Sequence, residues 1–137
     1  MSRFIDPIPI DKQPLESEHV QYDIVYRAMY NQDCDDINNF LPTYIERNYK
    51  PESFFDKDQQ KFSLSVFTNE EDLITTIRPI YKTWIKVTAL AKGKTDIEKG
   101  ISTSSDKGHV NYYLYDYLNN SPKNDFQYLK DIDKTNE

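Results

Sequence analysis

The chain has 137 residues, of which 37% are hydrophobic and 14% are aromatic, and it carries a formal net charge of −6. This length suits one domain, whose core must be built largely from tyrosine, phenylalanine, isoleucine and leucine. The acidic balance, with basic residues scattered along the chain, argues against a general phosphate-binding surface, so we expect no direct nucleic-acid binding.

The residues that usually hold metals are few. The chain has one cysteine, Cys34, and two histidines, His19 and His109. One cysteine allows no internal disulfide, and these residues lack the paired spacing of metal sites. We therefore expect no metal and no cofactor. The absence of a signal-peptide pattern and of an apolar run of about 18 residues predicts a cytoplasmic protein without a membrane anchor.

The two ends of the chain differ from its middle. Residues 1–18 contain three of the seven prolines among polar positions. Proline fixes φ and removes a backbone donor, so an extended arm is predicted there, disordered or lying along the body or a partner. A single α+β domain is expected over residues 19–130, and a flexible polar tail over residues 131–137.

Alternation of apolar and polar residues predicts five strands, which we expect to form a mostly antiparallel sheet. In chain order they cover residues 22–30, 62–67, 85–91, 108–118 and 125–129. Residues 92–94, with a central glycine, are predicted to form the turn after the third strand.

One or two helices are predicted between these strands. One covers residues 35–47 and is interrupted by Pro42. The other begins at Thr68, because a hydroxyl cap followed by Glu71 three positions later matches the capping box. It ends near Pro79, since the residue before a proline disfavours the helical conformation.

The tyrosine-rich run at 108–118 holds four of the eleven tyrosines and one histidine. Alternation predicts that one face of this strand packs in the core through Val110, Tyr112, Leu114 and Leu118. The opposite face then presents His109, Asn111, Tyr113, Tyr115 and Tyr117. This second face is interpreted either as a half-buried aromatic ladder or as an exposed binding ridge. His109 is also a candidate general acid or base.

Two further features are candidates for binding. Arg27 shares a strand face with Val25 and Met29, so a buried guanidinium there needs a carboxylate or a ligand anion as its partner. The hydroxyl-rich segment at 102–105, which includes Ser104, is interpreted as an anion-holding loop or as a simple polar turn. The sequence contains neither a phosphate-loop motif nor a dinucleotide-binding motif.

Five short segments follow one another between residues 22 and 128. They are Val25-Tyr26-Arg27-Ala28, Asn39-Phe40-Leu41-Pro42, Phe62-Ser63-Leu64-Ser65-Val66-Phe67, Ala91-Lys92-Gly93 and Gly108-His109. In this order they resemble small uncharacterised proteins of bacterial mobile elements and phages. The resemblance implies such an origin and carries no activity with it.

The chain is also similar, more distantly, to ADP-ribosyltransferase-like folds. These use an arginine or histidine on the first strand to grip NAD, then a serine-containing strand and a late glutamate. The resemblance implies that Arg27, with Ser63-Leu64-Ser65 or Ser102-Thr103-Ser104, fills the first two roles. The third role is vacant, because Glu137 at the chain end is the only glutamate after Glu98. Without that carboxylate the cationic transition state lacks a stabilising group.

These observations favour a non-enzymatic protein-interaction module of a bacterial mobile element or phage. It would bind a protein partner through the tyrosine-rich strand and the proline-rich arm. The residues expected to bind are Arg27, Ser104, Asn111, Tyr113, Tyr115 and Tyr117. The alternative is a small ADP-ribosyltransferase-like toxin, or a degenerate relative, with a pocket for NAD or another nucleotide at Arg27 and His109. A third interpretation, an acidic mimic of nucleic acid, requires carboxylates aligned on one face.

Overall fold

The computed structural model describes residues 3–48, 50 and 56–135. Within these ranges, six strands form one sheet: β1 (Val25–Met29), β2 (Leu64–Phe67), β3 (Ala89–Gly93), β4 (Gly100–Ser104), β5 (His109–Leu114) and β6 (Phe126–Asp131). Their order across the sheet is β4-β5-β2-β1-β3-β6, and every neighbouring pair is antiparallel. The predicted α+β fold with an antiparallel sheet is therefore confirmed.

Three α-helices connect or cover the strands of the described chain: α1 (Thr43–Glu46), α2 (Glu70–Ile77) and α3 (Tyr81–Lys86). The predicted start of α2 is wrong by one residue, because Asn69, and not Thr68, caps it by accepting a hydrogen bond from the Asp72 amide. The predicted helix at 35–47 divides at Pro42 into a 3₁₀ turn (Ile37–Phe40) and α1.

The predicted strand at 85–91 is wrong in its first part. Residues 85 and 86 end α3, since Trp84 and Val87 are both buried against α2 at helical spacing. β3 then runs through Gly93, so the turn predicted at 92–94 is mostly strand. Gly93 pairs with Phe126 of β6, and a Cβ there would approach the Phe126 ring to 2.5 Å. The glycine therefore permits close strand packing rather than a turn.

The sequence missed β4, which was interpreted as a loop. Ser102 pairs with Tyr112 and is fully buried, with its hydroxyl donating to the carbonyl of Val20 at 2.6 Å. The polar side chains of β4 can therefore lie in a buried strand, because the segment before β1 covers β4 and accepts this hydrogen bond. Ser104 is the last residue of this strand and does not belong to a loop, contrary to the prediction.

Among the described residues, buried side chains form three core clusters. The central cluster joins the strands to Phe40, Tyr117 and Phe126. A second cluster packs α2 and α3 on Phe67 and Ala28 of the sheet. A third cluster, around Phe62, forms where the N-terminal segment meets the far end of β5.

Residues 3–8 of the proline-rich arm lie along the body. The Phe4 ring packs on the Tyr115 ring at a centroid distance of 4.9 Å, and the Ile5 amide donates to the Tyr115 carbonyl at 2.8 Å. Asp6 is buried, and its Oδ1 accepts hydrogen bonds from the hydroxyls of Tyr44 at 2.5 Å and Tyr117 at 2.8 Å. At the other end, β6 already includes residue 131, whereas residues 1–2 and 136–137 lie outside the described ranges.

Asp6→Asn is expected to stabilise the fold near neutral pH. Burial raises the pKa of Asp6 above its ordinary value of 3.8, and the two tyrosine hydrogen bonds only partly oppose this rise. A carboxyl group with a raised pKa contributes its full stability when protonated, and that contribution is lost as pH rises through the folded-state pKa. The asparagine oxygen accepts the same two hydrogen bonds without a charge.

Urea unfolding measured between about pH 4 and about pH 7 tests this expectation. The stability gained by Asp6→Asn should grow with pH, whereas Asp11→Asn, at an exposed position, should show no such trend. A gain for Asp6→Asn that stays constant over this range would contradict the assignment.

Candidate functional site

Arg27 occupies a break between two central strands. In the described chain, β1 and β2 pair at a single position, Tyr26 with Phe67. Beyond that pair, hydrogen bonds from the Arg27 side chain replace those of the backbone. Nη1 donates to the Ser65 carbonyl at 3.1 Å, and Nε donates to the Asn39 carbonyl at 2.9 Å. The side chain thus links β1 to β2 where the backbone ladder is missing.

The charge of Arg27 is balanced by Glu46 of α1. Arg27 is only 4% exposed, and its Nη2 donates to Glu46 Oε2 at 2.5 Å. The Tyr30 hydroxyl donates to the same oxygen. Burial, together with the Glu46 charge, raises the pKa of Tyr30, so this donor keeps its proton. Of the two partners that the sequence left open for Arg27, the structure shows the carboxylate.

His109 and Ser65 form a second polar pair beside Arg27. The two lie on neighbouring strands, and His109 Nε2 is 2.9 Å from Ser65 Oγ. The imidazole ring packs on Phe67 at a centroid distance of 5.1 Å. Burial lowers the pKa of His109 below its ordinary value of 6.5, so the ring is neutral near neutral pH. A neutral ring offers one acceptor and one donor.

Arg27, Ser65 and His109 line one cleft with a volume of about 400 Å³. One wall is apolar and comes from α2, α3 and the sheet, with Ala28, Phe67, Ile77, Ile80 and Val87. The polar part of the lining, the polar wall, comes from the end of α1 and the β4–β5 turn, with Glu46, Arg47, Ser105, Asp106 and Lys107. The structure therefore brings Arg27 and His109, which are distant in sequence, into one concavity.

The cleft is more positive than the protein as a whole. Among the described residues, four basic and two acidic side chains line it, in a chain whose net charge is −6. Since the Arg27 and Glu46 charges balance one another, Arg47 and Lys107 against Asp106 leave this lining positive. A local positive field in an acidic protein favours a negatively charged occupant.

The tyrosine-rich face does not form the exposed ridge that was one of the two interpretations. Tyr115 and Tyr117 are only 6% and 5% exposed, because Phe4 and Asp6 of the arm cover them. β5 ends at Leu114, so alternation does not continue beyond it. Leu118, predicted to be in the core, is instead 54% exposed.

The remaining candidates divide between the cleft and its surroundings. Asn111, only 7% exposed, lies on the cleft floor beside His109, whereas Tyr113 is half-buried outside the cleft. Ser104 is exposed at the end of β4 and does not line the cleft, although the next three residues do.

Sequence reasoning missed Glu46 and Lys107 as site residues, and it named Ser65 only within the Ser63-Leu64-Ser65 segment of the ADP-ribosyltransferase resemblance. Ser65 was placed on the polar face of a strand, and no sequence spacing links it to Glu46 or to His109. The sequence does indicate a turn at Lys107, because a Lys-Gly pair such as 107–108 is typical of turns. Both residues adopt positive φ values, 55° and 75°, which places Lys107 at the rim of the cleft.

Comparison with known proteins gives no relative. No family model, no curated protein and no solved structure matches the chain. Neither resemblance noted in the sequence is tested by these searches, and both stay predictions. No helix in the described ranges is long and apolar enough to cross a membrane. In those same ranges, no cluster of three or more histidine, cysteine, aspartate or glutamate side chains is arranged to hold a metal ion.

Proposed function

We propose that the protein binds a small organic anion in the cleft beside Arg27 and His109. The observation that supports this proposal is the meeting of an excess of positive charge with an apolar wall in one cavity. The anionic group of the ligand would lie near Arg47 and Lys107, and its apolar part against Phe67 and the helices α2 and α3.

Arg47 and Lys107 supply the positive charge that is available to a ligand. Arg27 is already paired with Glu46, so it contributes structure more than attraction. Within the described residues, Arg47 and Lys107 form no ion pair, and both are exposed at the polar wall. Exposed cations at a concave surface attract anions and hold them by charge-assisted hydrogen bonds.

The apolar wall and the volume define the rest of the ligand. Phe67 and Val87 are almost fully buried beneath the cleft, and Ile80 is partly accessible at its edge. A volume of about 400 Å³ lies in the range of roughly 300–1,000 Å³ that small-molecule sites occupy. The neutral His109 ring can orient a ligand as either donor or acceptor.

A nucleotide, the ligand of the alternative hypothesis, belongs to this ligand class, since it joins a phosphate to a planar base. The protein-interaction hypothesis stays a prediction, but the tyrosine ridge that supported it is largely covered. Our proposal therefore moves the binding surface from that ridge to the cleft.

Thermal unfolding with added ligands tests the proposal. Phenyl phosphate and adenosine monophosphate at millimolar concentration are expected to raise the melting temperature, because a ligand that binds only the folded state stabilises it. Benzyl alcohol and adenosine, which lack the charge, should have a much smaller effect. Lys107→Ala should weaken phosphate binding about tenfold, since a hydrogen bond to a charged group contributes about 1.5 kcal/mol.

Lys86→Ala is the matched control, because Lys86 is an exposed lysine that does not line the cleft. Equal weakening by the two substitutions, or no shift with any anion in the panel, would contradict a cleft site.

A further inference from the structure

The floor of the cleft carries a hydroxyl and an imidazole in contact with each other. Ser65 Oγ lies 2.9 Å from His109 Nε2, and both side chains line the cavity. We propose that Ser65 is a nucleophile activated by His109, and that the cleft hydrolyses small carboxylic esters through an acyl-serine. This inference rests on the proposed function to the extent that the cleft must be open to ligands.

The geometry fits proton transfer from serine to histidine. A hydroxyl is a weak nucleophile unless a base within hydrogen-bond reach removes its proton during attack. With the imidazole proton on Nδ1, Nε2 accepts the hydrogen bond from Ser65. The buried ring is neutral, as that role requires.

The backbone around Ser65 is held firmly. Ser65 is in the middle of β2 and pairs with Asn111 of β5, while its carbonyl accepts a hydrogen bond from Arg27 Nη1. A nucleophile on a paired strand keeps its position better than one on a loop.

The reaction consumes only the ester and water. Ser65 Oγ forms a bond to the ester carbonyl carbon, and its proton passes to His109 Nε2. The bond from that carbon to the alkoxy oxygen breaks, and the alcohol leaves with the proton from His109. Water then attacks the acyl-serine in the same way, which releases the carboxylic acid and restores the serine.

Incubation with p-nitrophenyl acetate, followed by peptide mapping by mass spectrometry, tests the proposal. One acetyl group is expected on Ser65, at an initial rate at least about 100-fold above that on Ser105, a serine at the rim of the same cleft. His109→Asn should lower the Ser65 rate by about 100-fold. Ser17→Ala, at an exposed serine outside the cleft lining, should leave the Ser65 rate unchanged, and Ser65→Cys should be acetylated at position 65.

Acetyl groups only on lysines, or equal rates at Ser65 and Ser105, would overturn the proposal. The proposal would also be overturned if a folded His109→Asn variant were acetylated on Ser65 as fast as the unsubstituted protein. Anion binding measured on Ser65→Ala separates the two proposals. If anions bind but Ser65 is not acetylated, the nucleophile is wrong and the binding site stands; if Ser65 is acetylated but no anion binds, the assigned ligand class is wrong.

Discussion

Glu46→Ala is expected to lower the free energy of unfolding by about 3–5 kcal/mol, because it leaves the Arg27 guanidinium buried without a counter-charge. The side chains of the pair are only 5% and 12% exposed, so the guanidinium would lose its counter-charge while largely shielded from water. The Tyr30 hydroxyl loses its acceptor in the same substitution. Urea unfolding, with the slope checked for a two-state transition, measures the loss.

Glu16→Ala is the matched control for this prediction. Glu16 also pairs with an arginine, Arg3, but the two side chains are 60% and 53% exposed. An exposed pair contributes less than about 1 kcal/mol, so the control should change stability little. Adding Arg27→Met to Glu46→Ala should restore part of the loss, since the unpaired charge is removed while the carbonyls of Asn39 and Ser65 still lose a donor. Equal effects of Glu46→Ala and Glu16→Ala would contradict the buried ion pair.

Phe40→Ala is expected to cost about 3–5 kcal/mol, the usual loss when a buried phenylalanine is truncated. Phe40 has no exposed surface, and its ring lies 5.1 Å from the Phe126 ring in the central cluster. Its removal leaves a cavity beneath the sheet that the surrounding strands cannot fill. The free energy of unfolding in urea measures this cost.

Tyr81→Ala removes an aromatic ring of similar size from a position that is 75% exposed. Its effect should stay within about 0.5 kcal/mol. A loss for Phe40→Ala that is no larger than this control would mean that the Phe40 ring is not a packed part of the core.

The segment that contains Phe40 is one of the five that carry the predicted resemblance to mobile-element proteins. The side chain of Asn39 is fully buried, accepts a hydrogen bond from the Tyr30 amide at 2.8 Å and donates to Asn31 and to the Asp33 carbonyl. Asn39 and Phe40 therefore stabilise the fold around β1. They lie outside the cleft lining and say nothing about its ligand.

Local patterns predicted those elements whose burial follows from their own sequence. The alternating residues of β2 and the first half of β5 are buried as expected, and the capped helix α2 is present. The patterns failed where a residue is buried by a segment that is distant in the sequence. Ser102 looks like a loop residue until the chain at Val20 covers it, and Tyr115 looks exposed until Phe4 packs on it.

The candidate site could be predicted only in part for the same reason. A buried arginine at position 27 requires a partner, and the sequence indicated this need. It did not indicate Glu46, because α1 approaches β1 only in the folded chain. The contact between Ser65 and His109 depends on the register of β2 against β5, which alternation alone does not set.

The most direct test of the cleft as a binding site is the mapping of backbone amide chemical shifts during titration with phenyl phosphate. We expect saturable shifts at residues 65–67 and 105–111, with no comparable change along β6. Shifts that concentrate on β6 or on residues 3–8, or that stay absent at millimolar phenyl phosphate, would contradict the account.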